Sequence, residues 1–393
     1  MQPIKAAERT KEVKYAIRDI AVTAKEVAKT KKVIYLNVGD PNKFDFDTPK
    51  PLKKVVCEAM KNGHNYYSDS AGVDEALKAV AEFNNKLGIE CSEKSIMMTT
   101  GVSEAIQICI ASLMNRGDNM LIPRPSYPVY TAYLNLFEAG INFYTLNEKK
   151  GWELDPDEIE RQVNDKTRAI TIINPNNPTG GVYERKTLQR VVDIAAQHNL
   201  IIFADEIYDQ MIIDGEMHHL AAFSKEVPVI TFNGLAKNYL APGWRTGWLA
   251  ITDRENKMED YKNAIFQLGR ARLCSITPQQ FAVKPALESG NPMLKKTLRK
   301  LRKRRNLVYK RINQIDGLSL AKPKAAFYAF PKIEFDIDDK EFVLNLLKEE
   351  GVATVHGSGF DMEGHFRIVF LADEANLNEA IDKIEAYVKR IKK

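Results

Sequence analysis

Val229-Ile-Thr-Phe-Asn-Gly-Leu-Ala-Lys237 reads as a short strand that delivers a lysine to a turn, and Arg245 follows eight residues later within Gly243-Trp-Arg-Thr-Gly-Trp248. From about residue 95 the same layout recurs. Ile96-Met-Met-Thr runs into Gly101 and a helix from Ser103 to about Asn115, and Asn119-Met-Leu-Ile runs into a proline-rich loop that carries Tyr127. Thr167-Arg-Ala-Ile-Thr-Ile-Ile173 leads into the turn Asn174-Pro-Asn-Asn177-Pro-Thr-Gly180, and Leu200-Ile-Ile-Phe-Ala204 leads into Asp205. Between those two strands Leu188, Val191, Val192 and Ala195 fall on one helical face. Apolar runs alternating with helical periods predict a three-layer α/β domain built on a mostly parallel sheet. Ligands of such sheets bind outside the carboxyl ends of the strands. Gly101, Tyr127, Asn177, Asp205 and Lys237 all come just after such an end, so one crevice should gather them.

With 393 residues, two domains are expected. The first thirty residues, rich in Ala, Lys and Glu, predict a helix ahead of the strand Val33-Ile-Tyr-Leu36; Gly39-Asp-Pro41 then breaks the chain, and Asp47-Thr-Pro49 opens the next helix. Residues 46–285 make the large α/β domain. Beyond it, a long basic helix, strand-like Ala326–Phe330, a helix near 339–350, strand-like Phe366–Phe370 and a terminal helix predict a smaller α+β domain over 286–393. Residues 1–45 are expected to join that smaller domain in space.

Hydrophobic residues make up 44% of the chain and charged residues 28%, as in a soluble globular protein, and no apolar run reaches the roughly 18 residues that span a bilayer. Lys5, Glu8, Arg9 and Lys11 leave no apolar core for a leader, and Cys57, Cys91, Cys109 and Cys274 have neither metal nor disulfide spacing. Both observations predict a cytoplasmic protein. Ten cationic residues crowd 295–311, but Leu294, Leu298, Leu301, Val308, Ile312 and Ile315 keep helical spacing through them. A helix with one buried stripe and a solvated cationic face explains this without nucleic acid, since no base-reading motif accompanies the charge. The six histidines lack zinc spacing, and no Gly-x-x-x-x-Gly-Lys or Gly-x-Gly-x-x-Gly follows a strand, so neither metal, ATP nor NAD is expected.

The crevice residues do imply a cofactor. Lys237 alone would read as a solvated lysine, but a crowded strand end suits an amine that must react in its neutral form. Asp205, ending an apolar strand, would be costly without a partner, and a protonated pyridine nitrogen offsets that cost. Tyr208 and Asn177 can donate to a ring oxygen. Val102 and Ser103 open a helix whose free amides favour a dianion, and Arg245 adds a cationic fork. An amine, an anion clamp and a ring-nitrogen partner are the requirements of pyridoxal 5′-phosphate.

These motifs and their order resemble the class I aminotransferases, which share the aspartate aminotransferase fold (fold type I), and the resemblance covers nearly the whole chain. It implies that Tyr127 stacks on the cofactor ring and that Tyr67, in Tyr66-Tyr-Ser-Asp-Ser-Ala-Gly72, reaches the phosphate of the neighbouring subunit in a homodimer. It also implies that Arg367, in Phe366-Arg-Ile-Val369, grips the substrate carboxylate, with Gly39 and Asn177 beside it. Family members often carry a hydroxyl one or three residues before the lysine; here Ala236 and Gly234 stand there. Asn-Gly-Leu-Ala-Lys237 and Arg272-Leu-Cys-Ser-Ile-Thr-Pro278 most resemble the alanine aminotransferase-like branch. The implied reaction is ping-pong transfer from an L-amino acid to 2-oxoglutarate, with Lys237 as Schiff-base lysine and proton carrier. An aromatic or 2-aminoadipate-type aminotransferase, a C–S lyase on the same fold and a non-catalytic regulator are the rivals.

Overall fold

The computed structural model describes residues 3–13 and 16–392, excepting the side chains of 18 and 19. Its centre is a seven-stranded sheet: β1 (Ile96–Thr100), β2 (Asn119–Arg124), β3 (Gly140–Thr145), β4 (Thr167–Ile173), β5 (Ile201–Asp205), β6 (Val229–Gly234) and β7 (Thr246–Thr252). The spatial order is β1-β7-β6-β5-β4-β2-β3. Six strands share one direction, and β7 runs antiparallel to both β1 and β6. An antiparallel strand starts where its parallel neighbours finish. Arg245, the residue before β7, therefore stands at the same sheet edge as Gly101 and Asp205.

Neither β3 nor β7 is predicted from the sequence. β7 contains Gly247, a strand breaker, and the fold requires it: a Cβ there would lie 2.7 Å from the backbone of Gly101 and Val102. The side-chain period of two explains how the central strands serve both faces. Ile201, Phe203, Ile230 and Phe232 share a core with Ile106 and Ile110 of the helix Val102–Leu113. Ile202, Ala204 and Val229 face the opposite way, into Leu188, Val191 and Ile194 of the helix Arg185–Gln197. By the same alternation Asp205 lies on the face of Phe203.

The remaining strands are short. Tyr328–Ala329, Phe366–Val369 and Val355–His356 form an antiparallel sheet, and Ile34–Tyr35 pairs in parallel with Val352–Ala353. Ile20, Ala24 and Leu36 share a core with Leu346, Phe366 and Ile384. The single N-terminal helix expected from composition is instead a 3-10 turn over Glu8–Glu12 and an α-helix over Ala16–Val27, with Val13 extended between them. No helix among the described residues is long and apolar enough to cross a membrane.

The basic helix spans Leu294–Ile312 and buries Leu301, Val308 and Ile312, in keeping with its apolar period. Its cationic face is only partly solvated, which corrects the sequence reading. Arg304 and Arg305 are 2% and 1% exposed. Arg304 meets both oxygens of Asp45 at 2.8 Å, and Arg305 meets Asp214 at 2.7 Å. Each also donates to a carbonyl, of Leu371 and Pro323 respectively.

Candidate active site

A cavity of about 650 Å3 opens at the carboxyl edge of the sheet. Val102, Ser103, Tyr127, Asn177, Asp205, Tyr208, Lys237, Arg245, Gly39 and Arg367 all line it. Tyr67 does not.

One end of the cavity is an anion cradle. Gly101 has φ +75°, a conformation that turns β1 sharply into the helix Val102–Leu113. A Cβ at Gly101 would lie 2.4 Å from a terminal guanidinium nitrogen of Arg245, so glycine is what admits the arginine. Arg245 itself donates to the carbonyls of Pro242 at 3.3 Å and Thr100 at 3.5 Å. Its charge thus sits beside the unsatisfied amides of a helix N-terminus, an arrangement suited to a phosphate. The absent hydroxyl at Gly234 also has a local cause. A Cβ at that position would stand 2.6 Å from the carbonyl oxygen of Thr246.

Deeper in the cavity, Asp205 is 2% exposed. It accepts a hydrogen bond from the Tyr130 hydroxyl at 3.1 Å and another from the Ile207 amide at 3.3 Å. Burial raises its pKa to about 6 despite both donors. Such a carboxylate is short of positive charge, which a protonated ring nitrogen would supply. Glu206, the next residue, pairs with His219 at 2.7 Å, so that histidine of the His218–His219 stretch serves an ion pair.

Lys237 donates to the carbonyl of Gly39 at 3.3 Å. Burial lowers its pKa to about 8, helped by Arg367 and Arg245 and opposed by Asp40 and Asp205. A substantial fraction of the amine is therefore neutral near pH 8. The Tyr208 hydroxyl lies 2.7 Å from that of Tyr328.

Arg367 enters from the strand Phe366–Val369. Phe366 and Ile368 point into the apolar core, so alternation turns Arg367 into the cavity. Its guanidinium donates to the Asn177 side-chain oxygen at 2.9 Å and to the Asn37 carbonyl at 2.7 Å. It lies 4.6 Å from the Tyr328 ring centroid and 4.7 Å from that of Phe360. Binding Arg367 commits the oxygen end of Asn177 and leaves the amide end to donate elsewhere.

The sequence model of the aminotransferase class I and II family matches residues 31–384. The chain belongs to that family. Among relatives, the aminotransferase is 39% identical to the glutamate-pyruvate aminotransferase AlaA of Haemophilus influenzae, over 91% of each chain. It is 36% identical to aromatic-amino-acid aminotransferase 2 of Thermococcus litoralis, over 92% of each. Among solved structures, an alanine aminotransferase from Pyrococcus furiosus superposes with a TM-score of 0.95 at 44% identity, covering 98% of this chain and all of that one. Pyridoxal phosphate is the cofactor of this family, and the residues present fit it. The Gly101–Arg245 cradle suits its phosphate, Asp205 its ring nitrogen and Lys237 its aldehyde.

Several features of this aminotransferase escape a reading of the sequence. Tyr130 ends the stretch Arg124-Pro-Ser-Tyr-Pro-Val-Tyr130, three residues beyond Tyr127, a spacing that could have flagged it. Tyr328, Phe360 and Asn37 carry no such signal. Tyr67 is 80% exposed and, with Tyr66, Cys274 and Ile276, borders a separate surface groove.

Proposed function

We propose that the enzyme transfers the amino group of L-alanine to 2-oxoglutarate by ping-pong exchange, in the cytoplasm and as a homodimer. The observation that carries this reading is the placement of Arg367 and Asn177 in the same cavity as the depressed-pKa amine of Lys237. The glutamate-pyruvate and alanine aminotransferase relatives favour alanine as donor. Amino acids and oxo acids share a carboxylate next to the reacting carbon, so one guanidinium fork serves both half-reactions.

When bound, pyridoxal phosphate supplies an aldehyde for the amino group and a conjugated ring that spreads the charge developing at the substrate Cα. The chain's own groups do the rest. Arg245, Ser103 and the amides opening the Val102–Leu113 helix would hold the phosphate, and Tyr127 would pack on the ring. Asp205 would keep the ring nitrogen protonated, and Tyr208 and Asn177 would donate to the ring oxygen. Lys237 would hold the aldehyde, and its neutral Nζ would take and carry the proton of the substrate Cα. Tyr67 reaches the phosphate of the neighbouring subunit.

The test is a product assay on purified protein. Alanine with 2-oxoglutarate should give pyruvate and glutamate, with parallel double-reciprocal lines. The T. litoralis relative supports a second donor class, so phenylalanine and tyrosine belong in the same assay. Turnover confined to aromatic donors would overturn the choice of alanine. Ammonia release without an oxo acid would replace transamination by β-elimination.

A further inference from the structure

Tyr208 and Tyr328 bring two buried hydroxyls 2.7 Å apart. Only one can donate to the other. If Tyr208 donated to Tyr328, it would have no proton left for the cavity. Burial raises both phenols, Tyr208 well above its ordinary value, and the nearby Arg367 guanidinium opposes the rise at both, ranking second among the causes at Tyr328 and last at Tyr208. The guanidinium held against the Tyr328 ring favours the Tyr328 hydroxyl as the donor. When it donates, the Tyr208 O–H is freed toward the cavity, and a hydrogen bond received strengthens the one given.

The same residue has a second contact. Its ring lies 4.6 Å from the Arg367 guanidinium carbon, with the Phe360 ring at 4.7 Å. The chain keeps room for it: a Cβ on residue 39 would come within 2.4 Å of the Tyr328 hydroxyl, so Gly39 permits the approach. We propose that Tyr328 is a positioning residue, whose hydroxyl turns the Tyr208 O–H toward the cofactor's ring oxygen and whose ring fixes the plane of Arg367. The proposal rests on the roles given above to Tyr208 and Arg367.

The experiment uses cofactor-loaded wild type, Tyr328→Phe, Tyr328→Leu, Tyr208→Phe and the Tyr208→Phe/Tyr328→Phe double variant. The readouts are the pH midpoint of the bound cofactor's visible absorbance change and the separate KM and kcat values. A donor to the ring oxygen stabilises its negative charge and lowers the proton affinity of the conjugated system. Tyr328→Phe should therefore raise the midpoint, by roughly half to one pH unit, the scale of one net hydrogen bond. KM should stay within about twofold, because the ring remains. Tyr328→Leu should show the same midpoint shift and a KM raised roughly five- to tenfold for donor and acceptor alike, on the scale of a desolvated cation–π contact. Adding Tyr328→Phe to Tyr208→Phe should shift the midpoint no further, which separates action through Tyr208 from general loosening of the site. Should Tyr328→Phe fail to fold, Gly39→Ala, which displaces the hydroxyl by crowding, should reproduce the upward shift. An unchanged midpoint in loaded, folded Tyr328→Phe, or additive shifts in the double variant, would overturn the proposal. Failure of the wild type to bind pyridoxal phosphate would instead overturn the functional reading, and the proposal with it.

Discussion

The long basic helix and the cavity hold their cations in opposite ways. Arg304 and Arg305 each meet a carboxylate, Asp45 at 2.8 Å and Asp214 at 2.7 Å. Among the described residues, Arg245 donates only to carbonyls, at 3.3 and 3.5 Å, and Lys237 only to one, at 3.3 Å. A cation matched to a carboxylate is finished as structure. One held by long contacts to neutral oxygens keeps its charge available for a ligand. Proximity among such cations then has a chemical consequence, since Arg367 and Arg245 help to depress the Lys237 amine.

The largest expected effect comes from removing the reactive amine. Lys237→Ala should lower kcat by on the order of 10^4-fold or more, because both proton transfer and covalent capture are lost. Its melting temperature should not fall, since no ion pair is broken. A drop in kcat of less than tenfold would remove Lys237 from the mechanism.

Arg367→Lys comes next. Kinetics with each substrate varied should show kcat/KM reduced for donor and acceptor alike, by about 2–5 kcal/mol if the partner is desolvated. An effect on one substrate only would make Arg367 a side-chain specificity group.

Arg245→Gln tests the cavity side of the comparison more gently. Pyridoxal phosphate binding, followed by equilibrium dialysis, should weaken by about 1.5–3 kcal/mol, the scale of a hydrogen bond to a charged group. In the wild-type apoprotein the rate of covalent capture should rise with pH through about 8, as Lys237 becomes neutral. In Arg245→Gln that midpoint should move up, because a cation that disfavours the protonated amine is gone. A midpoint that stays put would mean the two cations do not interact.

Parts of this division were legible in the sequence. Thr167–Ile173 is a strand over the same residues in both readings, because its buried run, Ala169–Ile173, is mostly β-branched and apolar, as in a parallel strand covered on both faces, and turn residues close it. The crevice followed from strand ends alone. β7 was hidden because its glycine answers to a helix packed against it rather than to its own strand. Tyr130 and Tyr328 were hidden because their partners lie 75 and 120 residues away, and spacing carries no such information. Arg304 and Arg305 read as solvated for the same reason. The carboxylate of Asp45 is 259 positions from Arg304.

The smallest effect belongs to the structural cations. Arg304, by hydrogen bonding, holds Asp45 down to about 2 from 3.8. A depressed carboxylate stabilises the fold above its unfolded value and loses that contribution as pH falls through the folded one. Asp45 is half exposed, with 48% of its side chain open to solvent, so solvent screening leaves only about 1 kcal/mol. Asp45→Asn should cost that much in urea unfolding at pH 7 and little near pH 2, with kcat unaltered. Equal cost at both pH values would mean that packing, not charge, is lost.

The central claim is that Lys237, alone among the lysines, carries the cofactor. Borohydride reduction of the pyridoxal phosphate-loaded protein, followed by peptide mapping, tests it directly. The account predicts one pyridoxyl group, on the peptide containing Asn233-Gly-Leu-Ala-Lys237, and its loss from that peptide after incubation with alanine before reduction. A label on any other lysine, or a label at Lys237 that alanine does not displace, would contradict it.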